Sequence, residues 1–263
     1  MRPIDVVALV ATVMLCGIGP VIAALALGRR LRLQLRIVAI AGGCYVINLV
    51  LQQPIFAGLR AMVGGERSLL LTAVLFSIVV GVTEEVVRYL SWRAGRSMRD
   101  NRTSDGALVA GLAWGGAESL LFTLSIVGGL LAALFAPGML QGRSPVAEFD
   151  AASLGSLLVF APGRLFAIAG HVAFAHLSVQ AYRRSTAFLA VAIAAHVVFD
   201  ASVFGLGTLL GPQSAWPAVL FAVLAVAAVV TVVWLRRSWT AEDSCSDDHG
   251  SRTRDDAPAA HSS

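Results

Sequence analysis

The chain alternates long apolar runs with short polar stretches, and seven of the runs are long enough to cross a membrane. A helix rises 1.5 Å per residue, so about 20 apolar residues span the hydrocarbon core of a bilayer. The pattern therefore predicts an all-α fold, a polytopic transmembrane helix bundle of about seven spans. The predicted spans are Ile4–Gly28, Ile37–Leu59, Leu69–Trp92, Ala107–Phe135, Ala152–Tyr182, Thr186–Leu210 and Trp216–Leu235.

Composition supports a chain that uses lipid as its solvent. Of the 263 residues, 57% are hydrophobic and 14% are charged, whereas soluble domains carry about 25% charged residues. We expect an integral membrane protein, of the bacterial plasma membrane, with a single transmembrane domain over residues 1–237. From Ser238 onward the chain is rich in Ser, Asp, Arg and His and lacks an apolar period. This composition predicts a disordered cytoplasmic tail over residues 238–263.

Arginine clusters predict the orientation of the bundle, because basic residues close to the ends of spans are retained in the cytoplasm. Clusters follow the first, third, fifth and seventh spans, so the N-terminus is predicted outside and the C-terminus in the cytoplasm. The net charge of +4 comes from these arginines, which indicates membrane lipid and not nucleic acid as a partner. The clusters are Arg29, Arg30, Arg32 and Arg36; Arg93, Arg96, Arg99 and Arg102; Arg183 and Arg184; Arg236 and Arg237.

The third span carries two adjacent carboxylates and an arginine near its predicted cytoplasmic end. In a helix, Arg88 lies four residues from Glu84 and three from Glu85, so its guanidinium can reach either carboxylate. Ionisable groups inside a membrane are costly unless they pair, line a wet cavity or hold an ion. Because an ion pair that only locks helix packing needs one acid, the second glutamate is free to polarise water or to bind a cation.

The fourth and fifth spans place further ionisable groups in apolar surroundings. Glu118 follows a run of glycines, which allow a neighbouring span to approach its helix closely. Arg164 lies seven residues before His171, so the two share one polar stripe of the fifth span. His176 points elsewhere and is interpreted as a packing residue.

The sixth span contains His196 and Asp200, which face the same side of a helix and suit half of a zinc site. Counting residues from the predicted cytoplasmic ends puts the ionisable groups of four spans roughly 10 to 19 Å deep. We therefore expect one shared polar cavity, opening toward the cytoplasm. Two histidines, several carboxylates and an arginine in such a cavity suit a metal-activated water.

Four motifs on successive spans together resemble the YhfC-like intramembrane metalloproteases, within the superfamily of CAAX-processing and bacteriocin-processing (CPBP) proteases. The resemblance covers about Gly81 to Asp200, and it implies a glutamate that activates water and histidines that bind zinc. The motifs are Glu84-Glu85-x-x-Arg88-Tyr89, Gly-Gly-x-Glu118, Arg164 seven before His171, and His196-x-x-x-Asp200.

Some positions depart from the pattern of the superfamily and leave the ligand set open. The spacing from Glu85 to Arg88 is one residue shorter than is common there. Glu118 stands where a histidine is common, and Asp200 where an asparagine is common.

The leading hypothesis is an intramembrane zinc-dependent endopeptidase that cleaves a membrane-associated protein or peptide. In it Glu84 or Glu85 is the general base and Arg88 holds the other glutamate. The predicted metal ligands are His171, His196 and Asp200, with Glu118 as a fourth candidate. A non-catalytic scaffold or chaperone is the alternative. A proton-coupled transporter is a third interpretation, although such transporters usually show internal repeats.

Overall fold

A computed structural model of the protein describes residues 2–63, 69–140, 144–210 and 216–255. Regular secondary structure in these ranges is helical throughout, as the apolar pattern predicts. The helices are α1 (Pro3–Thr12), which continues through a π-helical segment (Val13–Ile18) into α2 (Gly19–Arg30), then α3 (Arg36–Val63), α4 (Leu69–Ser91), α5 (Arg96–Arg99), α6 (Ser104–Phe135), a 3₁₀ turn (Pro137–Leu140), α7 (Pro145–Ala151), α8 (Leu154–Arg183), α9 (Ala187–Leu210) and α10 (Trp216–Asp255).

Seven helical segments of the described chain are long and apolar enough to cross a membrane, which confirms the predicted number of spans. Helices α1 and α2 together form the first span. The protein is therefore an integral membrane protein, and its orientation stays a prediction. The segments are Pro3–Arg30, Arg36–Val63, Leu69–Ser91, Ser104–Phe135, Leu154–Arg183, Ala187–Gly205 and Ala222–Trp239.

The last helix differs in length from the predicted seventh span. Helix α10 continues past Ser238, where the predicted tail begins, to Asp255. Residues 256–263 lie outside the described part of the chain. A polar helix gains little stability without packing on a neighbouring element, so the disorder of the tail stays a prediction.

Two glycines set the helix pairs that carry the ionisable groups. A Cβ atom on Gly81 of α4 would lie 2.6 Å from Val197 Cγ2 of α9, and one on Gly111 of α6 would lie 2.5 Å from Val172 Cα of α8. Any side chain at these positions would push the helices apart. The glycines therefore bring α4 against α9 and α6 against α8. Glu118 comes to lie against another span, as predicted, and that span is the fifth.

The bundle is apolar on its outer surface and polar at several points inside. Val7, Leu15 and Val50 are more than 60% exposed, whereas Gln52 and Glu85 are buried. Since lipid is as apolar as these outward side chains, helix association in a membrane depends on close packing and on polar contacts between helices. The buried polar groups of α4, α6, α8 and α9 are such contacts.

Candidate metal centre and its cavity

Glu85 is fully enclosed by a guanidinium and an imidazole. Its carboxylate accepts hydrogen bonds from Arg88 Nε at 3.3 and 3.1 Å, and its Oε1 lies 2.7 Å from Nδ1 of His196 on α9. The residue is 0% exposed. A carboxylate held from two sides at no exposure can join α4 to α9 but offers little access to a further molecule.

Glu84 has a different environment, although it is the next residue in the chain. Its Oε2 accepts a hydrogen bond from Nε1 of Trp114 on α6 at 2.9 Å and lies 3.6 Å from Arg88 Nη2. The side chain also lines a cavity of about 180 Å³ between the helices. Of the two adjacent glutamates, Glu84 is the one that faces open space.

His171 joins the two helix pairs. Its Nδ1 lies 3.0 Å from Arg88 Nη2, and its Nε2 contacts Oε2 of Glu118. A guanidinium can only donate hydrogen bonds, so Nδ1 of His171 accepts and carries a lone pair. The ring is then neutral with its proton on Nε2, and Nε2–H donates to Glu118. Binding of a metal by Nε2 would require that proton to move to Nδ1 and the contact with Arg88 to give way.

Glu118 is neutralised by a residue from another helix. Nη2 of Arg164 on α8 donates to its Oε1 at 2.6 Å, while its Oε2 faces His171. The guanidinium of Arg164 also lies 4.7 Å from the centre of the Phe122 ring. The polar stripe of α8 therefore supplies a countercharge as well as an imidazole.

His196 and Asp200 form the opposite wall of the cavity. Nε2 of His196 lies 3.7 Å from Oδ2 of Asp200, one helical turn further along α9. The rings of His171 and His196 are 5.7 Å apart between centroids. The lining therefore contains Glu84, Glu118, His171, His196 and Asp200, all five on one cavity.

The cavity extends away from the arginine-rich loops, and the expected opening toward them is wrong for this cavity. Helices α3, α6 and α9 begin at that end, and Phe56, Phe122 and Phe204 line the cavity at positions well along these helices. On the other side, the Arg88 guanidinium stacks 4.3 Å from the Trp114 ring centre. Arg88 lies one turn nearer the arginine-rich end than Glu84, and Trp114 lies one turn nearer that end than Glu118. This stacked pair lies between the cavity and those loops.

The donor set fits a divalent metal. Of the residues that the structure describes, Glu84, Glu118 and His171 each offer a ligand atom, and these atoms lie within 4.8 Å of one another. Carboxylate oxygen and neutral imidazole nitrogen are zinc ligands. His196 and Asp200 stay predicted ligands, on the facing wall.

The formal charges of the cluster lead to the same fit. Ion pairs and hydrogen bonds connect four carboxylates with the guanidiniums of Arg88 and Arg164 and with the two histidines. The four carboxylates outnumber the two guanidiniums, and His196 lies within ion-pair distance of two of them, Glu85 and Asp200. A buried group of this kind supplies more acidic than basic side chains, as a cation site requires.

Sequence reasoning missed two residues of this site. Trp114 was not among the predicted site residues, and Arg164 was predicted only as a member of the polar stripe of the fifth span. Their partners lie 30 and 46 residues away in sequence, on other helices. The seven-residue spacing of Arg164 and His171 was the one signal in the sequence that could have indicated a role for the arginine.

Comparison with known proteins places the chain in a family. A family model described as "YhfC intramembrane metalloprotease" matches residues 20–210. No curated protein and no solved structure matches the chain. The matched range contains each member of the buried cluster described above. The chain belongs to the YhfC intramembrane metalloprotease family.

Proposed function

We propose that this protein is a metal-dependent intramembrane endopeptidase that cleaves a membrane-associated protein or peptide. The observation that carries the proposal is the convergence of Glu84, Glu118 and His171 on a buried cavity. Membership in a metalloprotease family supports it.

His171 and Glu118 would hold the metal, and His196 and Asp200 on the facing wall are the remaining ligand candidates. We favour zinc, since the site offers imidazole nitrogen and carboxylate oxygen and no sulfur ligand among its described residues. When bound, such a metal polarises a carbonyl oxygen and makes water more acidic.

Glu84 is the proposed general base. Its carboxylate faces the cavity, and the indole N–H of Trp114 fixes its orientation. Glu84 is within reach of water placed near His171 and Glu118, and it would accept the proton as water attacks the scissile carbonyl and return it to the leaving nitrogen. Glu85 and Arg88 would instead hold the site together, because their charges are paired with each other and with His196.

The metal content of the purified protein tests the proposal most directly. We expect about one equivalent of a divalent metal in the parent and its loss in the His171→Ala/His196→Ala double variant. The matched control is His176→Ala, which removes a buried histidine of the same helix α8. Equal metal content in the parent and the double variant would contradict the metal site and favour a scaffold.

A further inference from the structure

The wall of the cavity beyond the ionisable groups is aromatic and aliphatic. Phe56 of α3, Phe122 of α6 and Phe199, Val203 and Phe204 of α9 line it on the side remote from Arg88. This wall is continuous with the cluster of Glu84, Glu118 and His171, because the same cavity contacts both. Whatever occupies the apolar part lies directly beside the proposed reaction centre.

The volume of the cavity limits the size of its occupant. A cavity of about 150 Å³ in a protein core takes up one benzene molecule, and this cavity measures about 180 Å³. Because this volume includes the space beside the ionisable groups, the apolar part has room for at most one large side chain and not for a helix. Burial of an aromatic or branched aliphatic group against an apolar wall of this size is favourable, whereas burial of a methyl group contributes little binding free energy.

Polar groups on the same wall favour a peptide as the molecule that carries this side chain. Gln52 of α3 lines the cavity, and its amide nitrogen donates to Thr83 Oγ1 at 2.8 Å. Arg164 lines it from α8. An unwound peptide in a membrane needs hydrogen-bond partners for its backbone, and a hydrocarbon chain has no use for them.

We propose that this aromatic part of the cavity is a specificity subsite, which binds one large apolar side chain of the substrate next to the cleaved bond. The proposal rests on the proposed peptidase function, since that function makes the occupant a substrate. It assigns the substrate class: a peptide segment with a phenylalanine-sized or leucine-sized side chain at the subsite position.

Val203 and Val198 offer a matched pair of variants on α9. Val203 lines the cavity, whereas Val198 lies five residues earlier, roughly 140° around the helix, and is 57% exposed. Val203→Trp fills the subsite. Val198→Trp adds the same bulk on the outer surface.

The first measurement is binding and needs no activity. The purified full-length protein is titrated in detergent with N-acetyl-phenylalaninamide and, as the small probe, N-acetyl-alaninamide. We expect the parent and Val198→Trp to prefer the phenyl probe by roughly tenfold or more, and Val203→Trp to lose that preference. An equal preference in all three proteins would overturn the subsite.

A second variant keeps the test decisive if Val203→Trp does not fold. Phe204 lines the cavity and is 54% exposed, so Phe204→Ala should enlarge the subsite at small cost to folding. We expect its preference to move toward N-acetyl-naphthylalaninamide relative to the phenyl probe. An unchanged preference would contradict the proposed lining.

Cleavage of a peptide library separates this proposal from the proposed function. If the parent cleaves beside large apolar residues and Val203→Trp beside small ones, both proposals hold. Binding selectivity without any cleavage by the metal-loaded parent would contradict the peptidase and keep the binding site. Cleavage with no preference for large apolar residues would contradict the subsite and keep the peptidase.

Discussion

Helix α8 carries two buried histidines in very different surroundings. His171 contacts Arg88 and Glu118 from two other helices and lines the cavity. His176, five residues later, has Nδ1 2.8 Å from the carbonyl of Val172 and Nε2 3.3 Å from the Ser104 hydroxyl.

The second histidine region is a docking contact for the last helix. The ring of His176 stacks on Trp239 of α10 with centroids 5.5 Å apart, and Arg236 pairs nearby with Asp105 at 2.6 Å. Both histidines are nearly unexposed. Burial of an ionisable side chain therefore does not by itself indicate a reaction centre. The proposed reaction centre depends instead on the convergence of charged groups on a cavity, which only His171 of the two histidines lines.

The largest expected difference between the two regions is in activity. Glu84→Gln removes a group that can accept a proton and keeps its shape, so cleavage should fall by roughly 10²- to 10⁴-fold. Metal content and thermal stability should stay close to those of the parent. Asp105→Asn is the matched change beside His176 and should leave cleavage unaffected. A loss of activity that follows stability in every variant would favour the scaffold.

The Arg88–Glu85 and Arg236–Asp105 ion pairs should contribute differently to the free energy of unfolding. Arg88→Ala leaves Glu85 without its closest countercharge at 0% exposure, which should lower the free energy of unfolding by about 3 to 5 kcal/mol. Arg236→Ala breaks a pair whose side chains are about 40% exposed and should cost about 0 to 1 kcal/mol. Thermal or denaturant unfolding in detergent measures both. Equal losses would mean that the Glu85 pair is not the stabilising contact inferred here.

The histidines themselves allow a comparison within one helix. His176→Ala should lower the free energy of unfolding by about 1 kcal/mol, because two hydrogen bonds and a stacking contact to Trp239 are lost. Its metal content should match that of the parent. His171→Ala should lose metal at matched protein folding, as followed by elemental analysis and circular dichroism. Loss of metal from His176→Ala but not from His171→Ala would show that the metal binds at His176 and not at His171.

The smallest expected effect concerns topology. Cysteine labelling tests only where the His171 and His176 regions lie relative to the two faces of the membrane. In a background without native cysteines, a single cysteine within residues 93–105 should be labelled from the cytoplasm and one within residues 137–150 from outside. The arginine distribution predicts this result. The reverse labelling would place His176 near the outer face and would leave the contacts of His171 unchanged.

Much of the fold follows from local features of the sequence. The seven spans depend on run length and apolarity, which each segment carries by itself. The candidate residues of the site could also be predicted from the sequence. Few ionisable groups occur inside membrane spans, and the ones found there are usually functional. Glu84, Glu118, His171, His196 and Asp200 all lie on the cavity.

The roles of Glu84 and Glu85 could not be assigned from the sequence, because adjacent residues point about 100° apart on a helix whose rotation is unknown. The packing of α4 on α9 turns Glu85 toward His196 and leaves Glu84 on the cavity. The direction of the cavity was mispredicted for a related reason. The position of a residue along its helix can be counted from the sequence. The stacking of Arg88 on Trp114, in contrast, depends on how α4 packs against α6.

The sequence by itself determined an all-helical membrane bundle, its number of spans and the position of each ionisable group along its helix, because apolar length and helical rise are local properties. The tertiary structure alone decided which groups pair: Glu118 with Arg164 across 46 residues and Glu85 with His196 across 111. Those pairings depend on the rotation of each helix about its axis and on close approaches at Gly81 and Gly111, which no single segment encodes.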